Sequence, residues 1–253
     1  MFTIAVAGKG GSGKTSLAGL IIRFLLNKKL GPVLAVDADA NANLGEGLGL
    51  EVDKTIGSTL ASFNEEKINI PPGLTKEAYL EIKLNEAIVE SKGIDLITMG
   101  RGEGTGCYCY PNTVLRNFID KLSANYEFIV MDNEAGMEHL SRKTTEHTNE
   151  LFVVSDHSVK GVRTIARILE LIKELKLDVR HTSVVLSMVP GEIDSHILKE
   201  LDRLGISVVA KIPFDEQLKE YDLEQKSLLD LPEGSSAVRA VDEMMNGALA
   251  FAS

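Results

Sequence analysis

Eight residues near the start of the chain, Gly8-Lys9-Gly10-Gly11-Ser12-Gly13-Lys14-Thr15, fit the spacing G-x-x-x-x-G-K-[ST] of a phosphate-binding loop. An apolar β-rich run precedes the loop. A helical pattern follows it, with Leu17, Ile21 and Leu25 on one face. Strand, loop and helix is the context this chemistry needs. Glycines let backbone N–H groups close around phosphate oxygens, and the helix N-terminus adds a partial positive charge. Residues Gly8 to Ser16 would cradle the phosphates of a nucleoside triphosphate. Lys14 would reach the β- and γ-phosphates, and the Thr15 hydroxyl would bind Mg²⁺.

Phosphoryl transfer also needs a carboxylate for the metal and a group that orients the attacking water. Asp132 follows the run Phe128-Ile-Val-Met131, a hydrophobic strand ending in an acid, and should hold Mg²⁺ through a water. The alternative is a helix-capping or structural role. Asp37-Ala38-Asp39 and Asp156-His157-Ser158 follow two other strand-like runs, so acidic residues gather at several strand ends. In doubly wound sheets that is the side on which ligands bind.

The chain's two cysteines, Cys107 and Cys109, lie one residue apart in Gly106-Cys-Tyr-Cys-Tyr-Pro111. Two thiolates this close suit Zn²⁺, Ni²⁺ or Cu⁺. A closed tetrahedral site needs four ligands, and one chain supplies two thiols. A twofold dimer would bring two such loops together and supply all four. Inert buried cysteines and a redox-active pair are the other readings.

These residues need a scaffold. Strand-like runs recur at 2–8, 33–38, 94–99, 127–132, 150–155, 183–188 and 207–212, with helical stretches between them. Several are continuously apolar, such as Leu151-Phe-Val-Val154, which suits strands buried on both faces. Segment 158–176 carries Val162, Ile165, Leu169 and Ile172 on one helical stripe. The alternation predicts an α/β fold: one domain over 1–253 with a mostly parallel, roughly seven-stranded sheet flanked by helices. Region 51–92, where Pro71-Pro72-Gly73 separates two helical stretches, reads as an insertion on that sheet.

Composition narrows the partners. Of 253 residues 44% are hydrophobic, ample for a core, and the net charge of −10 argues against an extended nucleic-acid surface. No apolar run approaches the ~18 residues of a membrane span. The N-terminus enters a strand at once, and two cysteines make no disulfide framework, so a cytoplasmic protein is expected.

Lys9, directly after the first glycine, completes the string Lys-Gly-Gly-x-Gly-Lys-Thr. This resembles the deviant phosphate loop of the family that includes MinD, ParA and the nitrogenase iron protein. The resemblance implies that Lys9 crosses a dimer interface to the partner's nucleotide, coupling hydrolysis to dimerisation. It also implies that Asp37 and Asp39 form the first switch, with Asp39 positioning the attacking water and Asp37 supporting the metal. Ser187 stands where many relatives carry the Asn that reads adenine. Pro213-Phe214-Asp215 resembles the loop flanking the base, so ATP is the nucleotide the resemblance implies.

Together with Asp37-Ala-Asp-Ala-Asn-Ala-Asn-Leu-Gly45, Gly106-Cys-Tyr-Cys109 and Met131-Asp-Asn-Glu-Ala-Gly-Met-Glu-His-Leu-Ser-Arg142, the loop resembles the carbon monoxide dehydrogenase maturation ATPases of the CooC type, which include AcsF of acetyl-CoA synthase. That implies an ATP-hydrolysing homodimer that chaperones Ni²⁺ (or Zn²⁺) at Cys107 and Cys109. Its partner would be apo-acetyl-CoA synthase or apo-carbon monoxide dehydrogenase, with no nucleic acid or membrane. A DNA-partitioning ATPase would need a basic surface, and a membrane ATPase a basic amphipathic C-terminal helix, which 237–253 does not resemble. The strongest alternative of another class is an ATP-dependent electron-transfer reductase resembling the nitrogenase iron protein.

Overall fold

The computed structural model describes residues 1–66, 70–101, 117–133 and 147–250. Its strands are β1 (Phe2–Gly8), β2 (Val33–Asp37), β3 (Ile88–Ser91), β4 (Ile94–Thr98), β5 (Phe128–Asp132), β6 (Thr148–Asp156), β7 (Val179–Val189) and β8 (Val208–Pro213). They form one sheet in the order β3-β4-β2-β5-β1-β6-β7-β8, parallel except for the antiparallel pair β3–β4. All seven expected strands are present. The eighth, β3, has four residues at the sheet edge and is half exposed, so it carries no strong apolar signal.

The helices are α1 (Lys14–Asn27), α2 (Leu44–Leu48), α3 (Ile56–Glu66), α4 (Lys76–Asn85), α5 (Val159–Glu174), α6 (Ser195–Leu204), α7 (Glu216–Leu223) and α8 (Ser236–Ala250), with a further helical stretch at 117–123. Pro71-Pro72-Gly73 does separate two helices, α3 and α4. The second is capped by the Thr75 hydroxyl, which accepts from the Ala78 N–H at 3.1 Å.

Side-chain alternation explains why the strands read as continuous apolar runs. In β1, Ala5 and Ala7 face one core layer, while Ile4 and Val6 face the other. In β2, Leu34 and Val36 join the first layer, and Val33 and Ala35 the second. A strand covered on both sides has no polar face to show. Val162, Ile165 and Ile168 of α5 are buried against the first layer, with Leu169 and Ile172 packed at its margin. Leu17, Ile21 and Leu25 of α1 are buried in the second layer with Val238, Val241 and Met245 of α8. Each such side chain contributes roughly 1.5–3 kcal/mol by leaving water. The result is a rigid sheet whose central strands end side by side.

Candidate functional site

Strand register places the acidic residues in a row. Thr98 of β4 pairs with Asp37 of β2, Asp37 with Asp132 of β5, and Asp132 with Val6 of β1, two residues before Gly8. The loop from Gly8 therefore leaves the sheet beside both carboxylates.

The loop is held by its own main chain. A Cβ on Gly8 would lie 2.1 Å from the Val154 carbonyl oxygen, so no larger residue lets β1 sit this close to β6. Gly13 caps α1 at φ 80, a left-handed conformation that glycine adopts without penalty. The first turn of α1 has no acidic residue, leaving the positive end of its dipole for an anion. Ser12 donates its hydroxyl to the Lys9 carbonyl at 2.7 Å. Lys14 is buried at the start of α1, and Gly10 and Gly11 are exposed. Thr15 and Ser16 follow Lys14, both half-buried.

The Thr15 hydroxyl donates to Asp132 Oδ2 at 2.6 Å, while Asp132 Oδ1 is buried without a hydrogen-bond partner. A hydroxyl that donates one way still has lone pairs for a cation, and a buried unpaired carboxylate oxygen needs one. This donor set of hard oxygens fits Mg²⁺, which Thr15 and Asp132 would hold. Burial pushes the Asp132 carboxyl up to about 7. The Asp37 and Asp39 charges add to that, against the Thr15 hydrogen bond and Lys14. Asn133, also buried, ties the end of β5 to β1 by donating its side-chain amide to the Val6 carbonyl at 3.1 Å.

Asp37 is fully buried and organises the turn beyond β2. Its Oδ1 accepts from the Asp39 N–H at 3.1 Å and its Oδ2 from the Leu44 N–H at 2.9 Å, at the start of α2. Burial raises it to about 6 despite those two bonds. Asp39 is half-buried and accepts from the Asn41 N–H at 2.8 Å.

On the other side of β1, Lys9 Nζ pairs with Asp156 Oδ2 at 3.0 Å. Asp156 Oδ1 accepts from the Ser158 hydroxyl at 2.5 Å, and Ser158 caps α5 by accepting from the Gly161 N–H at 2.9 Å. The sequence signals Asp156 only as an acid after a strand. Its grip on Lys9 depends on β6 lying next to β1.

Ser187 is buried beneath the loop, its hydroxyl 2.5 Å from the Ser12 carbonyl oxygen and 3.2 Å from that of Ser155. It buttresses the loop's main chain. Beside it, Met188 is exposed at φ 53, and the Phe214 N–H donates to the Val189 carbonyl at 3.0 Å, bringing Pro213 and the exposed Phe214 alongside. Asp215 caps two helices at once. Its Oδ1 accepts from the N–H groups of Gln217 and Leu218, and its Oδ2 accepts from Ser235, Ser236 and the Ala237 N–H. Cys107, Cys109 and the segment 134–142 lie outside the described residues. Among the described residues no cluster of three or more His, Cys, Asp or Glu could hold a metal ion, and no helix is long and apolar enough to cross a membrane.

A family model described as the CobQ/CobB/MinD/ParA nucleotide-binding domain matches residues 3–228. An uncharacterized ATP-binding protein of Methanocaldococcus jannaschii is 43% identical over 243 residues, 95% of this chain and 96% of that one. The carbon monoxide dehydrogenase accessory protein CooC of Rhodospirillum rubrum is 27% identical over 240 residues, 90% of this chain and 89% of its own. Among solved structures, the septum site-determining protein MinD of Pyrococcus horikoshii, complexed with Mg-ADP, superposes with a TM-score of 0.68 at 19% identity. The match covers 99% of this chain and 97% of that one. At that identity the likeness speaks for the fold alone.

Proposed function

The chain belongs to the CobQ/CobB/MinD/ParA nucleotide-binding family and is an ATPase, and from that premise we propose that it is a nickel chaperone. In this reading ATP-driven closure of a homodimer matures a nickel–iron–sulfur enzyme, acetyl-CoA synthase or carbon monoxide dehydrogenase. The observation that carries it is the likeness to the CooC accessory protein over nine-tenths of the chain. Cys107 and Cys109 add the thiolates such cargo requires. The segment with both cysteines starts just past β4, whose last residue, Thr98, pairs with Asp37.

The residues divide the work as follows. Gly8 to Ser16 bind the phosphates, and Lys14 neutralises charge on the β- and γ-oxygens. Bound Mg²⁺ supplies electrostatic stabilisation of the charge developing on the transferred phosphoryl group. Thr15 and Asp132 hold that ion. Asp37 fixes the turn that carries Asp39, and Asp39 orients the attacking water. Lys9 reaches the partner's phosphates, so hydrolysis waits for closure. Met188, Pro213 and Phe214 border the base.

Metal analysis of dimer and monomer fractions, with and without a slowly hydrolysed ATP analogue, tests the reading. One Ni²⁺ per two chains is expected, lost in Cys107→Ser and Cys109→Ser together with activation of the nickel enzyme. One metal per monomer, untouched by either substitution, overturns it. Iron and brown colour in the anaerobic protein would favour the electron-transfer alternative.

A further inference from the structure

We infer that Asp156 is a positioning residue that latches Lys9 inside its own subunit and restrains the dimer until nucleotide arrives. The inference deepens the proposed function and rests on Lys9 acting across the interface. Lys9 is held at two points. Its carbonyl accepts the Ser12 hydroxyl at 2.7 Å, and its ammonium pairs with Asp156 at 3.0 Å. The first contact belongs to the loop. The second joins the loop to β6, and an ammonium bound there is not available to a phosphate on another chain.

The acceptor itself is built into the fold. Asp156 ends β6 and is fixed by Ser158, whose hydroxyl also caps α5. A Cβ on Gly161 would lie 2.3 Å from Asp156 Oδ1, so this turn of α5 seats closely on the carboxylate only because it is bare. Burial alone would raise the Asp156 carboxyl. The Ser158 and Lys9 hydrogen bonds and the Lys9 charge reverse this and hold it below the ordinary range. Asp156 therefore stays ionised and keeps its hold on Lys9.

The strength of the pair suits a latch. Lys9 and Asp156 side chains are 34% and 28% exposed, a setting in which an ion pair shifts an equilibrium by up to about fivefold. A triphosphate carries several negative charges and can outcompete one carboxylate. Nucleotide on one subunit thus draws Lys9 from the other, and two latches open per dimer formed.

Asp156→Asn keeps the shape and an acceptor for Ser158 while removing the charge. Sedimentation velocity should show its dimer dissociation constant, with a slowly hydrolysed ATP analogue, lowered about 5- to 25-fold relative to wild type. In the Lys9→Ala background the same substitution should change nothing, because Asp156 acts through Lys9. Ser158→Ala, which loosens the carboxylate without removing it, should shift dimerisation the same way by less. An Asp156→Asn protein that dimerises as wild type or more weakly overturns the latch, as does an equal shift without Lys9. Wild-type protein that stays monomeric with the analogue instead removes the dimer reading, and the latch with it.

Discussion

The Thr15 hydroxyl and the Asp132 carboxylate, 2.6 Å apart, join the phosphate loop to the end of β5 and leave Asp132 Oδ1 buried with nothing to accept from. This pair prepares a cation site at a cost in stability. Burial holds Asp132 up to about 7 and Asp37 up to about 6, so between about pH 4 and those values each keeps a proton that the unfolded chain would release. Their raised values stabilise the nucleotide-free fold fully below about pH 4, and that stabilisation is lost as pH rises through 6 to 7. Mg²⁺ needs the ionised form. Binding of magnesium nucleotide at pH 6 should therefore expel about one proton, and at pH 8.5 almost none. Calorimetry in buffers of different ionisation enthalpy measures this directly. Asp132→Asn should remove the proton release and hydrolysis while stabilising the nucleotide-free protein at pH 8 by about 1–3 kcal/mol.

Lys14 and Asp39 should separate binding from chemistry. Lys14→Ala removes the buried cation of the phosphate loop, so affinity and turnover should both collapse. Asp39→Ala leaves the loop and the Asp37 turn in place. It should spare nucleotide affinity within a fewfold while slowing hydrolysis at least about 100-fold, since a water-orienting group acts mainly in the transition state. Equilibrium binding alongside single-turnover hydrolysis checks both. Normal turnover in Asp39→Ala would take that residue out of the mechanism.

The parts of this site legible in the sequence are those made by local chain. Gly8 to Thr15 follow one strand and open one helix, so spacing alone places Lys14 and Thr15. The strand-end position of Asp132 is equally legible, because an apolar run must end where its strand leaves the core. What the sequence hides depends on which strands become neighbours. Lys9 meets Asp156 across 147 positions, and Ser187 meets Ser12 across 175. Both contacts follow from the placement of β1, β6 and β7, which no local pattern states. β3 leaves no clear sequence signal because an edge strand of four half-exposed residues needs no apolar face.

Asp215, expected from the sequence beside the base, is a structural clamp in the fold. Five donors converge on its two oxygens, capping α7 and α8 together. Burial would raise the carboxyl, but bonds from Ala237, Ser235, Ser236 and Leu218 outweigh it and hold it well below the ordinary range. Asp215→Ala should cost about 0.5–2 kcal/mol for each cap. In a chain of this length that lowers Tm by roughly 2–4 °C per kcal/mol. A depressed carboxylate stabilises above its unfolded value and loses that contribution as pH falls through its folded one. The gap between wild type and Asp215→Ala should thus be constant at neutral pH and shrink below about pH 4. Thermal melts of both proteins across that range are the check.

Ser187 offers the sharpest test of how the base is recognised. Its hydroxyl lies against the Ser12 and Ser155 carbonyls, and a Cβ on Gly13 would come within 3.7 Å of it. A single hydroxyl engaged with the loop's main chain has little left to distinguish one base from another. Ser187→Ala removes one buried hydrogen bond, worth about 1 kcal/mol, and leaves the Ser12 carbonyl short of a donor. The loop should hold phosphates less well, so affinity for ATP and GTP should fall together, each by about fivefold. Unequal losses, with ATP suffering more, would return the hydroxyl to the base. Equal losses leave selectivity to Met188, Phe214 and the main chain around them, the groups exposed on that side of the loop.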